Sequence, residues 1–230
     1  MKAKRFMGLI LVLLLFVVPS TFANNIGITL ADLLKVGAFV IIDDKKFYEF
    51  TDYSSISTGA NASPIDPANI FVVPLIETID GIQEWGLRFH SELYFAGARS
   101  TQDTLWKYTV ATLEGGDLIV DNVLRVGGYA ATGNGFARIG ETAQDETGVI
   151  IANKEVGDVG EIDIENFGPQ NKLIISTDIL LAGLDGSAFI SEVDQLYSQT
   201  GEVPEPSTML LIGSGLIGLA GYGRKKFFRK

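Results

Sequence analysis

Short runs of alternating apolar and polar residues fill the middle of this chain. In Trp106-Lys107-Tyr108-Thr109-Val110, one face carries Trp106, Tyr108 and Val110, and the other Lys107 and Thr109. Trp85, Leu87 and Phe89 alternate with Gly86, Arg88 and His90. Glu161-Ile162-Asp163-Ile164-Glu165 sets Ile162 and Ile164 on one side. A period of two marks strands with one face on a core and the other toward water. The same reading predicts strands over 36–43, 46–53, 69–78, 117–129, 136–142, 148–154, 172–181 and 188–197. Turn residues separate them: Gly59-Ala60-Asn61, Gly115-Gly116-Asp117, Gly133-Asn134-Gly135, Gly168-Pro169 and Asp185-Gly186. Thr29 stands as the N-cap of a short helix over 30–34. Many strands with frequent turns predict an all-β fold, an antiparallel β-sandwich or jelly roll.

Both ends break this pattern. Lys2, Lys4 and Arg5 precede an uncharged apolar run over 6–18, and Thr21 and Ala23 are small residues placed for cleavage between Ala23 and Asn24. That is the layout of a signal peptide over 1–23, removed by a signal peptidase. Its run is shorter than the roughly 20 residues of a spanning helix. The expected ectodomain covers 24–197, with a linker over 198–202. At the other end, Val203-Pro204-Glu205-Pro206-Ser207-Thr208 leads into an apolar run over 209–223, closed by Arg224, Lys225, Lys226, Arg229 and Lys230. As a helix at about 1.5 Å per residue, that run falls short of a hydrocarbon core of about 30 Å. A transmembrane helix over 207–223 is expected to anchor through Met209, Leu210, Leu211, Ile212, Leu216, Ile217 and Leu219, with the basic cluster in the cytoplasm. Its shortness suits a transient hold. Gly213-Ser214-Gly215-Leu216-Ile217-Gly218 matches a dinucleotide-binding pattern, but no strand–turn–helix context surrounds it. Ser214 and Gly218 read instead as a small-residue pair for helix packing.

The Pro-Glu-Pro element, the glycine-rich apolar run and the terminal Arg/Lys cluster, in that order, resemble the PEP-CTERM sorting signal of bacterial surface and exopolysaccharide-associated proteins. The resemblance implies an exosortase partner that recognises Pro204, Glu205 and Pro206 and removes the helix. It implies an exported protein, held at the inner membrane with its ectodomain outside and then passed to the cell surface or extracellular matrix.

Charge sharpens the division. The full chain carries 18 basic and 28 acidic residues, yet residues 24–203 hold 10 and 27, a formal charge of −17. The basic excess lies in the two ends, so the body is not expected to bind nucleic acid. There is no cysteine, which excludes disulfides and thiolate metal sites.

No catalytic constellation emerges. His90 is the only histidine, and it alternates onto the polar face of its strand. A triad would have to use it, no G-x-S-x-G elbow occurs, and zinc would lack ligands. Asp43 with Asp44, Asp158 with Glu161 and Asp163, and Asp185 with Glu192 are candidate Ca2+ ligands, but none has the spacing of a helix–loop–helix calcium site. Trp85 and Trp106 could stack on sugars, yet both share a face with apolar neighbours. The leading expectation is a non-enzymatic surface or matrix protein, with no cofactor and no metal. The alternative is a carbohydrate-binding module, Ca2+-dependent or not. The third reading is a polysaccharide-active enzyme using two carboxylates.

Overall fold

The computed structural model describes residues 27–199. The chain begins with β1 (Ile28–Thr29), α1 (Leu30–Leu33), β2 (Phe39–Ile42) and β3 (Lys45–Thr58). After a 3-10 turn at Pro67–Asn69 come β4 (Phe71–Ile79), β5 (Ile82–His90), β6 (Phe95–Ala96), β7 (Thr101–Thr112) and β8 (Ile119–Gly127). Then follow β9 (Ala130–Thr132), β10 (Phe136–Gln144), β11 (Ile150–Gly157), β12 (Ile162–Gln170), β13 (Lys172–Ala182), β14 (Ser187–Phe189) and β15 (Glu192–Tyr197). Every strand pairing is antiparallel. The fold is all-β, a β-sandwich.

One six-stranded sheet runs β1-β4-β5-β15-β8-β12, and the other β11-β10-β13-β7-β3-β2. A small third sheet, β6-β14-β9, lies against β7, β10 and β13 of the second sheet. Hairpins β2–β3, β4–β5 and β10–β11 stay within a sheet, while most other connections cross between sheets. The core lies where the inner faces meet. Phe89 of one sheet packs on Trp106 of the other with ring centroids 4.8 Å apart, and Phe47, Phe50 and Tyr108 extend the aromatic cluster.

Local chemistry explains the turns. Thr29 caps α1 in a reciprocal box with Asp32, as its sequence position leads one to expect. The β4–β5 hairpin closes through Asp80 and Gly81, both with positive φ (51° and 85°), the two-residue turn whose twist matches its strands. Gly86 lets β5 and β15 approach closely, because a Cβ there would collide with the Gln195 carbonyl oxygen.

The structure corrects several details of the sequence reading. The expected strand over 36–43 starts only at Phe39, since Val36 and Gly37 belong to the turn after α1. The span 188–197 divides into β14 and β15 around Ile190 and Ser191. Gly168-Pro169 is no turn but lies within β12, where the register slips between Asn166 and Gln170. Beyond β15, Ser198 is buried, its N–H donates to Asp121 Oδ1 at 2.8 Å, and Gln199 bridges Ile119.

Ile162 and Ile164 do not face the core; they are 46% and 39% exposed. β12 is an edge strand, and its other face meets the edge of β11. There, Glu165 Oε2 accepts from Asn153 N–H at 2.9 Å and Asp163 Oδ2 from Glu155 N–H at 3.1 Å. The acids occupy the inward positions because unpaired backbone N–H groups are waiting for acceptors. They also block that edge against pairing with another chain.

Candidate functional site

The residues singled out for chemistry by sequence are scattered, each with a local task. Trp106 is fully buried against Phe89. Trp85 is half-buried rather than enclosed, and Lys45 Nζ lies 4.3 Å from its ring centroid. His90 is half-buried on the outer face of β5, opposite Phe71 and Glu192. The candidate Ca2+ ligands do not converge. Asp44 accepts from Asp117 N–H at 2.8 Å and from Gln199, tying two loops together. Asp158 pairs with Arg138 at 3.3 Å, and Glu192 with Arg88 at 3.0 Å. Asp185 accepts from both the backbone and side chain of Asn134 at 2.8 Å, joining two predicted turns. Among the described residues, no group of three or more His, Cys, Asp or Glu side chains is arranged to hold a metal ion.

On the outer face of the first sheet, Asp194 is the hub of an ion network. Its carboxylate is 3% exposed. It accepts Arg88 Nε and Nη2 at 2.7 and 2.9 Å, and Arg125 Nη2 and Nε at 2.6 and 3.0 Å. Glu77 and Glu192 complete the charge balance on Arg125 and Arg88. Adjacent strands β4, β5, β15 and β8 are thereby tied through side chains, a structural arrangement that leaves its carboxylates occupied.

Two carboxyls, Glu84 and Asp178, are raised above their ordinary range. Burial pushes Glu84 up to about 8; Asp121 raises it further and Lys45 opposes. Asp178, on the outer face of the second sheet, is raised to about 6 by burial and by the hydrogen bond and charge of Asp103. Two shallow grooves of about 450 and 430 Å3 lie elsewhere, one around Asn61, Leu93 and Phe95 and one around Phe39, Lys46 and Tyr48.

Glu84 makes a testable contribution to stability. An unfolded Glu titrates near ~4.3. A raised folded value means the folded protein holds a proton that the unfolded chain releases, so stability is greatest below about 4.3 and falls as pH rises through 8. E84Q removes this slope. In urea unfolding at pH 5 and pH 9, the variant is expected to gain about 4 kcal/mol on the wild type between those pH values. A gap independent of pH would contradict the assignment.

The most distinctive chemistry is interior and was not read from sequence. Between the sheets lie Glu141 (β10), Lys154 (β11), Thr177 (β13), Asn122 (β8) and Gln195 (β15), all buried. Lys154 Nζ is 3.0 Å from Glu141 Oε1 and donates to Asn122 Oδ1. Gln195 Nε2 donates to Glu141 Oε2 and to Thr177 Oγ1, the latter at 2.6 Å. Tyr108 and Tyr197 share a 2.7 Å hydrogen bond, and burial holds both phenols well above their ordinary range. The available signal was a polar residue in phase with an apolar face: Glu141 with Ile139 and Ala143, and Lys154 with Ala152 and Val156.

Comparison with known proteins places the identifiable function at the C-terminus. Residues 202–225 match the family model of the PEP-CTERM protein-sorting motif. The motif implies an exported protein with an exosortase as processing partner. No curated protein matches the chain. Among solved structures, TmCBM61 in complex with β-1,4-galactotriose is similar at 14% identity and a TM-score of 0.29, covering 65% of this chain and 91% of that one. A family 11 carbohydrate-binding module of a Clostridium thermocellum cellulosomal cellulase gives 10% identity and 0.21, covering 72% and 98%. A structure of accessory secretory proteins 1, 2 and 3 from Streptococcus pneumoniae gives 12% and 0.29, covering 54% and 88%. Similarity at this level bears on neither ligand nor partner.

The sorting residues Pro204, Glu205 and Pro206, the anchor over 207–223, the basic cluster and the Ala23–Asn24 cleavage point lie outside the described residues. No helix among the described residues is long and apolar enough to cross a membrane.

Proposed function

We propose that this protein is a non-enzymatic surface or matrix component: an acidic β-sandwich delivered outside the cytoplasm and processed through its C-terminal signal. The match to the sorting motif at residues 202–225 carries this reading. Pro204, Glu205 and Pro206 form the recognition element. Residues 207–223 hold the chain in the inner membrane, Arg224, Lys225, Lys226, Arg229 and Lys230 keep its tail in the cytoplasm, and exosortase removes both. The body then enters the extracellular polymer layer. Its ionised groups support a passive role, since Asp194, Asp44, Asp163, Glu165 and Asp185 are all engaged in holding strands and loops.

Fractionation with a tag in an exposed loop tests this reading. The wild type is expected at the surface or in the medium. Replacing Pro204-Glu205-Pro206 with alanines is expected to leave a larger, membrane-retained form. Unchanged size and location would remove the tripeptide as a processing signal, and a cytoplasmic wild type would end the proposal.

A further inference from the structure

We propose that Lys154 and Asn122 become joined by an intramolecular isopeptide bond, with Glu141 as the proton carrier. The three groups a self-catalysed amide exchange requires meet in the interior: an amine, a carboxamide and a carboxyl. All three residues are buried, which excludes the water that would compete for the acyl carbon. Lys154 Nζ touches the Asn122 carboxamide and lies 3.0 Å from Glu141 Oε1. Holding nucleophile and electrophile in contact converts a slow bimolecular reaction into an intramolecular one.

The chemistry balances without a co-reactant. One proton passes from the Lys154 ammonium to Glu141, replacing two buried charges by a neutral amine and a carboxylic acid. The Nζ lone pair forms a bond to Asn122 Cγ, and the carbonyl electron pair moves onto Oδ1. Glu141 relays a proton from Nζ to Nδ2. The Cγ–Nδ2 bond breaks with its electron pair on nitrogen, and Oδ1 regains its double bond. Ammonia leaves and takes the remaining proton from Glu141 as ammonium. The products are a secondary amide, ammonium and the original carboxylate, with no change in oxidation level.

Neighbouring groups fit this course. Gln195 donates to the other Glu141 oxygen and is itself fixed on Thr177, so the carboxyl is aimed at Nζ. The departing Asn122 Nδ2 faces the Leu196 carbonyl at 3.4 Å. Register fixes the donors, since Glu141 stands directly opposite Lys154 on one side and Thr177 on the other. The bond would stitch β11 of one sheet to β8 of its partner. In a cysteine-free exported domain, it supplies the covalent brace that no disulfide can.

Tryptic mapping of the full chain purified from its host reads the bond directly. The expected product is a branched peptide joining residues 108–125 to residues 139–172, uncleaved at Lys154 and lighter than the two linear peptides together by ammonia, about 17 Da. E141Q, folded by circular dichroism, is expected to give only linear peptides. K154R keeps a cation opposite Glu141 and is also expected to give linear peptides. Separate, unmodified 139–154 and 155–172 peptides from the wild type would overturn the bond. A cross-linked E141Q protein would overturn the role of Glu141.

Discussion

Trp106→Ala is expected to destabilise the sandwich by about 3–5 kcal/mol, the range for truncating a fully buried tryptophan. Trp106 has no solvent-exposed surface and packs on Phe89 across the two sheets. Its removal leaves a cavity where β7 faces β5, and strands held on both sides cannot collapse into it. Against a total stability of about 5–15 kcal/mol, the loss is a large share. Denaturant unfolding measures it as a fall in midpoint at constant slope. Trp106→Phe is the control. It keeps an aromatic ring and deletes an indole N–H that has no hydrogen-bond partner, so it is expected to cost less than half as much. Equal losses in the two variants would show that ring volume is not what the site requires.

Asp194→Asn is expected to cost about 3 kcal/mol. The substitution preserves shape but removes the charge shared by two guanidinium groups. Arg88 and Arg125 then face each other across β15 with only the more exposed Glu192 and Glu77 to offset them. Leaving charge uncompensated costs more than the intact network contributes. Because the hub carboxylate is almost fully buried, this loss is expected to persist in high salt, whereas exposed pairs such as Lys35–Asp32 are screened. A loss that vanished in high salt would contradict the burial argument.

The strand plan was legible because a half-buried strand writes its burial into alternate positions. Trp106, Tyr108 and Val110 obey that rule, as do Leu87 and Phe89. The rule fails at β12, where Ile162 and Ile164 look outward because the inner positions serve the backbone of β11. One sequence cannot show which strand will be an edge, since that depends on pairing across the whole chain. The interior Glu141–Lys154–Asn122 cluster was hidden for a related reason. Glu141 and Lys154 face each other across the β10–β11 pair, but Asn122 sits on β8 of the other sheet, and only the sandwich brings it to them. Read singly, each looked like an ordinary polar strand residue. The C-terminal signal was legible because its parts are contiguous and ordered: Pro204-Glu205-Pro206, an apolar run, then basic residues. A contiguous signal needs no fold to become visible.

The account rests on delivery and processing of this domain through that signal. The most direct test is mass spectrometry of the termini of the protein recovered from the cell surface or medium. The predicted form begins at Asn24 and lacks residues 207–230. An exported form that retains the apolar run and ends at Lys230 would contradict the account.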